Sequence, residues 1–338
     1  MTNRRVVVLR PDAGPAVGLG HLQRSLGLAV ALREHGCSCV VRAPDAGDVR
    51  ERVESLELRF DPAPASWETR DEAMALDGLE PDAVVVDSYR ALEDDLSLLQ
   101  RKGRLLAVID DLAGGPLSCD LVVNGAAGAS ELPYDRLAPR ARLLLGIEYL
   151  LLHPQLWDVT PRTPSARVES VLVTCGGSAG SVAPLQTLLA AIEGSSAAFD
   201  LTVAAPEGVT AALAPFLRSS RRHVDVVSPD TTVLEAAGSV DLAVASAGGT
   251  TRELLRLGVP TLAVVTADNQ RRGATGLSEL GAIELFESLD EAEVQLAPAL
   301  DRLIGSFEER RRLAERGPEV IDGQGCRRVA AAVLELLA

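Results

Sequence analysis

The stretch Val17-Gly-Leu-Gly-His-Leu-Gln-Arg24 follows an apolar run, Val6-Val-Val-Leu9, and opens a segment with helical apolar spacing. An apolar strand that turns through closely spaced glycines into a helix reads as the first βα unit of an α/β domain, because glycine lets the backbone turn sharply and approach a ligand. The first helical N–H groups and the helix dipole favour an anion such as a phosphate at that turn. His21 stands beside Gly18 and Gly20, so an imidazole able to move a proton near neutral pH shares the turn. A plain βα turn, with His21 as a helix cap, fits the same residues.

Working outward, strand-like runs alternate with helical segments: Cys39 to Val41, Ala83 to Val86, Leu105 to Ile109 and Leu121 to Val123. This alternation predicts right-handed βαβ units on a parallel sheet, and Val84-Val-Val86 and Leu106-Ala-Val-Ile109 carry the consecutive apolar positions of strands covered on both faces. The pattern breaks in the proline-containing segment His153 to Arg167, and a second series follows near 170–174, 200–204, 223–227, 241–244, 260–265 and 283–286. The expected organisation is therefore an N-terminal domain over 1–153, a linker over 154–168, a second domain over 169–322 and a C-terminal helix over 323–338. Two doubly wound domains facing each other would leave a central cleft at the carboxyl ends of both sheets.

At 338 residues, 47% apolar, the chain is long enough for two cores. A net charge of −15 and an aromatic content of 3% argue against nucleic acid as partner, since such proteins need basic surfaces and stacking platforms. No apolar stretch is long enough to span a bilayer and the N-terminus runs directly into a strand, so a cytoplasmic protein is expected. Cysteines 37, 39, 119, 175 and 326 form no C-x-x-C pair, which points to reduced thiols rather than zinc or disulfides.

The second half repeats the strand-plus-glycine theme: Cys175-Gly-Gly-Ser178 after Ser170-Val-Leu-Val-Thr174, and Ser246-Ala-Gly-Gly-Thr-Thr-Arg-Glu253 after Val240-Asp-Leu-Ala-Val244. Gly177, Ser178, Ser246, Gly248, Gly249 and Thr250 are candidates for holding a diphosphate, and Glu253 for accepting hydrogen bonds from a ribose diol. Thr250 and Glu253 also have the spacing of a capping box, which would occupy both with no ligand. Asn269 and Gln270 offer side-chain amides at the same sheet edge. A protein of this charge must hold a diphosphate by local attraction, so Arg10, Arg24, Arg252, Arg271 and Arg272 are candidate cations, Arg24 being one helical turn beyond His21. Asp12, just after the first strand, is a candidate to orient His21. The adjacent Asp110 and Asp111 point in different directions at a strand end, which favours turn and cap roles over a metal pair.

The blocks VGLGHLQR, VVVDSY (84–89), VIDDLA (108–113), CDLVVN (119–124), LLLGIEYLLLHP (143–154), CGGS, SAGGTTRELLRLGVP, ADNQ and DGQGCRRVA (322–330) resemble the PseG family of nucleotide-sugar hydrolases from pseudaminic acid biosynthesis. That family is similar in fold to MurG-type GT-B glycosyltransferases, and the resemblance runs through nearly the whole chain in order. It implies two Rossmann-type domains and a UDP-sugar held mainly by the C-terminal domain. Its anomeric C–O bond would be cleaved with inversion, without metal or cofactor, by water activated at the N-terminal domain. His21 matches the family's catalytic histidine, Glu253 its donor-binding acid, Gln270 the polar residue of its N-Q pair and Tyr89 a tyrosine lining the sugar site; Asn124 falls in the C-D block. Asp87-Ser88-Tyr89 replaces the family's D-H-Y, and Gly176-Gly-Ser-Ala179 replaces G-G-T-D. Two further readings stand beside the hydrolase: a GT-B glycosyltransferase moving the sugar to a small acceptor, and a non-catalytic nucleotide-sugar binding protein.

Overall fold

The most apolar runs become the inner strands. In the computed structural model, which describes residues 4–14, 17–65, 69–91, 93–176, 179–227, 233–238 and 240–338, the chain divides into two compact units. The first, Met1–Trp157 with Gly323–Ala338, is built on a seven-stranded sheet. Its strands are β1 (Val6–Pro11), β2 (Ser38–Pro44), β3 (Arg59–Ala63), β4 (Ala83–Asp87), β5 (Leu105–Ile109), β6 (Leu121–Asn124) and β7 (Arg142–Leu145). They pair in the order β3-β2-β1-β4-β5-β6-β7, parallel throughout.

The second unit, Asp158–Asp322, carries β8 (Ser170–Thr174), β9 (Asp200–Ala204), β10 (Val224–Val227), β11 (Leu242–Ser246), β12 (Thr261–Val264) and β13 (Glu284–Phe286). These six strands follow the order β10-β9-β8-β11-β12-β13, also parallel. Both sheets thus reverse strand order between their first and fourth strands, the doubly wound Rossmann-like arrangement. All residues of β4, β5 and β11 are buried, as parallel strands with helices on both faces require. In the first unit Leu76, Leu96 and Leu99 close over Val84, Val86 and Leu106. In the second, Leu185, Leu188 and Ile192 close over Val171, Val173 and Leu201. Burying each such side chain contributes about 1.5–3 kcal/mol, so the layered core outweighs local propensity.

Two strands of the first sheet lie outside the runs read from sequence. β3 and β7 are its edges; β3 is half exposed and contains Pro62, a residue tolerated only where a ladder N–H is dispensable. The C-terminal helix, Gly325–Leu337, belongs to the first unit and packs on the helix Gly20–Glu34. A Cβ on Gly27 would meet the Leu152 carbonyl and one on Gly325 the Leu150 carbonyl, so the segment around 150–152 runs between these helices at backbone contact. Trp157 is buried and donates from Nε1 to that same Leu152 oxygen at 2.9 Å.

Candidate active site

In the first unit β1 and β4 end side by side at the point where strand order reverses, the usual ligand edge of such a sheet. After β1 the chain makes a tight loop in which Gly18 N–H donates to the Gly14 carbonyl at 2.8 Å. Gly18 has φ +78°, a left-handed conformation that a side chain would strain, and this turn fixes the helix start at Gly20. The N-cap residue, Leu19, has no side-chain acceptor for the first-turn amides of that helix. His21 is the second helical residue, 8% exposed.

The imidazole is held by a carboxylate. His21 Nδ1 lies 2.6 Å from Asp87 Oδ1, at the last residue of β4. Arg24 donates from Nε to Asp87 Oδ2 and from Nη2 to Oδ1, both at 2.6 Å, a bidentate ion pair on the fully buried carboxylate. An ionised carboxylate only accepts, so Nδ1 carries the proton it donates to Asp87, and Nε2 keeps its lone pair. Arg24 also donates from Nη1 to Asp111 Oδ2 at 2.7 Å, and the Tyr89 hydroxyl donates to the same oxygen at 2.7 Å. The Tyr89 ring stands edge-on to His21 with centroids 4.5 Å apart. Burial opposes the charge on Arg24, but Asp111 and Asp87 outweigh it and hold the guanidinium above its ordinary range. Burial, then Asp111, keeps the Tyr89 phenol protonated well past its usual range.

Three expectations about this edge are corrected. Asp12 does not orient His21: its buried carboxylate receives Ser88 Oγ at 2.8 Å and Arg90 at 2.7 and 3.1 Å, while Asp87 takes the orienting role. Asn124 is fully buried and uses both ends of its amide internally, donating to Tyr134 at 2.9 Å and accepting from the Ala126 N–H at 3.0 Å, which leaves no face for a substrate. Arg10 is fully buried against Glu72 at 2.7 Å rather than open to a phosphate. Asp110 closes a turn through the Leu112 and Ala113 amides and accepts from Tyr134, whereas Asp111 turns towards Arg24. Asp87, quoted from sequence only as part of the D-x-Y block, and Asp111, read there as a turn or cap residue, are thus candidate site residues whose place beside His21 the motif reading missed.

In the second unit the equivalent edge lies between β8 and β11. Gly177 and Ser178 fall outside the described residues; Cys175 and Gly176 follow β8. Beyond β11, Gly248 is the extended residue before the helix Gly249–Arg256, and as a glycine it has no side chain with which to cap it. Gly249 and Thr250 are the first two helical residues, so the capping-box alternative does not form; Thr251 instead donates to the Ser246 carbonyl at 2.8 Å. Gln270 is anchored by Oε1, which accepts from the Thr266 N–H at 3.0 Å and hydroxyl at 3.2 Å. Its Nε2 and Ser246 Oγ lie 3.6 and 3.8 Å from where a Gly248 Cβ would stand, so Ser246, Gly248 and Gln270 meet at one point. Asn269 is exposed in the first turn of the helix Asp268–Glu279, and no contact joins it to these residues among those described. Glu253 is half-buried, one turn into its helix, and among the described residues nothing donates to its carboxylate; burial pushes it up to about 7. Of the candidate cations here, Arg271 is already paired with Glu287 at 2.7 Å.

Among the described residues no three His, Cys, Asp or Glu side chains are grouped to hold a metal ion, and no helix is long and apolar enough to cross a membrane. All five cysteines are free thiols.

No protein-family profile matches the chain, and no curated protein sequence is found to be similar to it. Its likeness to solved structures extends over both units. Acinetobacter baumannii MurG matches at 14% identity with a TM-score of 0.66, over 98% of this chain and 100% of that one. The spinosyn rhamnosyltransferase SpnG matches at 16% identity and 0.67, over 99% of each chain. Anabaena HepE, solved with UDP and glucose, matches at 13% identity and 0.67, over 98% and 100%. The fold is that of the GT-B glycosyltransferases.

Proposed function

We propose that the protein is an enzyme that cleaves the anomeric C–O bond of a UDP-sugar with inversion and transfers the sugar to a hydroxyl group. The observation that carries this reading is the Asp87–His21 pair, which leaves Nε2 as the one lone pair of a buried, oriented imidazole at the sheet edge. In the reaction an O–H nucleophile gives its proton to His21 Nε2 as its oxygen bonds to the anomeric carbon. The C–O bond to the diphosphate breaks on the opposite side, and its electron pair leaves with UDP. Asp87 stabilises the imidazolium that forms. The second unit would hold the nucleotide: the uncapped helix start at Gly249 and Thr250 faces the diphosphate, Gln270 adds a donor, and Glu253 accepts from the ribose. A rhamnosyltransferase and a UDP-bound protein among the structural neighbours support transfer to an acceptor as the leading form of the reaction. Water as nucleophile, a PseG-like UDP-sugar hydrolase, is the second form, favoured by the nine motif blocks described above. UDP release from a panel of UDP-sugars, with and without candidate hydroxyl acceptors, separates them: hydrolysis proceeds in buffer alone, transfer requires the acceptor, and no release in any mixture removes both.

Glu253→Ala should weaken UDP binding while hardly changing binding of uracil, because the contact is to ribose. The sign of the pH dependence follows from the raised carboxyl. Below about 7 Glu253 is neutral in the free protein, and a ribose diol donating to it favours the ionised form. UDP affinity should therefore rise between roughly pH 6 and 8, with proton release that calorimetry in buffers of different ionisation enthalpy detects. Unchanged UDP affinity in the variant would remove Glu253 from the site.

Chelation of divalent cations should leave turnover intact. The carboxylates of Asp87 and Asp111 are both engaged by the one guanidinium of Arg24, and amide donors at the helix start can meet the diphosphate. Loss of turnover in EDTA, restored by magnesium or manganese, would overturn that account.

A further inference from the structure

We infer that Arg24 and Asp111 form an opposed charge pair that sets the protonation of His21, a positioning role resting on the reading of His21 as the base. Arg24 Nη2 lies 3.2 Å from His21 Nδ1, on the side already occupied by the Asp87 carboxylate. A cation at that distance disfavours an imidazolium, whereas Asp87 favours one. Were Arg24 balanced only by Asp87, the imidazole would feel a nearly neutral pair. Asp111 supplies a second anion to the same guanidinium at 2.7 Å, so with neutral His21 the group of Arg24, Asp87 and Asp111 carries one net negative charge. That charge disappears when the ring takes a proton. The side chains of His21, Arg24 and Asp111 are 9, 16 and 17% exposed and that of Asp87 is fully buried, so solvent screens these interactions only in part.

Among the described residues, the charged and titratable groups facing the ring come from four places. Asp87 comes from the end of β4, Arg24 from the ring's own helix, Tyr89 from the loop after β4, and Asp111 from the loop after β5 through Arg24 and Tyr89. Asp12 is matched by Arg90 as a pair of its own. Tyr89 joins the ring to the charge pair: its ring is edge-on to the imidazole while its hydroxyl is fixed on Asp111. Asp111 therefore acts on the base through two arms, one electrostatic and one steric.

The two charges predict shifts of opposite sign, which can be read without a substrate. With ¹³C-labelled histidine in the full-length protein, the ring signals of the four histidines are titrated by NMR and His21 is assigned from the spectrum of His21→Ala. Asp111→Asn should lower the His21 midpoint by roughly 0.5–1 pH unit, Asp111→Glu should return it towards the parent value, and Arg24→Gln should raise it by at least as much. If either neutral variant fails to fold, the other decides. A midpoint within about 0.2 pH unit of the parent in a folded variant, even one with reduced thermal stability, would overturn the inference and leave these residues only a structural role. Turnover of His21→Ala bears on the base alone. An active His21→Ala beside shifted midpoints ends that reading but keeps the charge coupling; an inactive one beside unmoved midpoints does the reverse.

Discussion

Replacing His21 by alanine should lower turnover by about 10²–10⁴-fold, the range for loss of a general base, with UDP affinity little changed. The expectation rests on division of labour between the units. His21 stands in the first unit, held by Asp87, while Ser246, Gly248, Gln270 and Glu253 belong to the second. A residue that touches the nucleophile and not the nucleotide should affect kcat far more than UDP binding. The substitution leaves the Arg24–Asp87 pair intact, so the buried carboxylate keeps a partner and the fold should survive. Catalysis in the parent enzyme should fall on the acid side, since an imidazolium accepts no proton. Near-normal turnover in a folded His21→Ala, or a rate flat across the acid range, would take the imidazole out of the reaction.

Much of this architecture is legible in sequence because parallel strands announce themselves: the runs at Val84, Leu106 and Val171 are apolar at consecutive positions. The strands that escape, β3 and β7, are edges, where one flank is free of the ladder and residues such as Arg59, Pro62 and Arg142 are tolerated. His21, Gly18 and Gly248 were readable from local chemistry, since a glycine turn between strand and helix is a short-range pattern. Asp87 and Asp111 were not. An aspartate at a strand end is an ordinary turn former, and only the pairing of β4 beside both β1 and β5 brings these two to the helix bearing His21 and Arg24. The same long-range geometry ties Arg10 to Glu72 and Asp12 to Ser88 and Arg90, partners far away in the chain, so neither takes the role its polarity suggested. Asn124 is taken up nearer by, through Tyr134 and the Ala126 amide.

Glu72→Gln should destabilise the first unit by about 3–5 kcal/mol, the cost of leaving a buried charge without its partner. Arg10 lies in the middle of the sheet on β1 and is fully buried; Glu72 reaches it from the helix Thr69–Asp77 at 2.7 Å and its side chain is equally inaccessible. Arg42, on β2, donates to both oxygens of the same carboxylate, at 2.9 and 3.2 Å, and also pairs with Asp61 on β3. Burial pulls the Arg10 guanidinium below its ordinary range despite Glu72, so the carboxylate is what makes the buried cation tolerable. A glutamine offers one neutral acceptor oxygen where two arginines now share two charged ones. At about 2–4 °C per kcal/mol for a domain of this size, the thermal midpoint of that unit should fall by roughly 6–20 °C. The residues proposed to hold the nucleotide lie in the other unit, so UDP affinity of the folded variant should match the parent. Replacing Arg10 and Arg42 with methionine and Glu72 with leucine together should recover most of the loss, because a well-packed apolar set avoids the desolvation of all three charges. A midpoint unchanged in Glu72→Gln would show that water reaches Arg10 and relieves it. A variant of normal stability with weakened UDP binding would return Arg10 to the candidate phosphate cations.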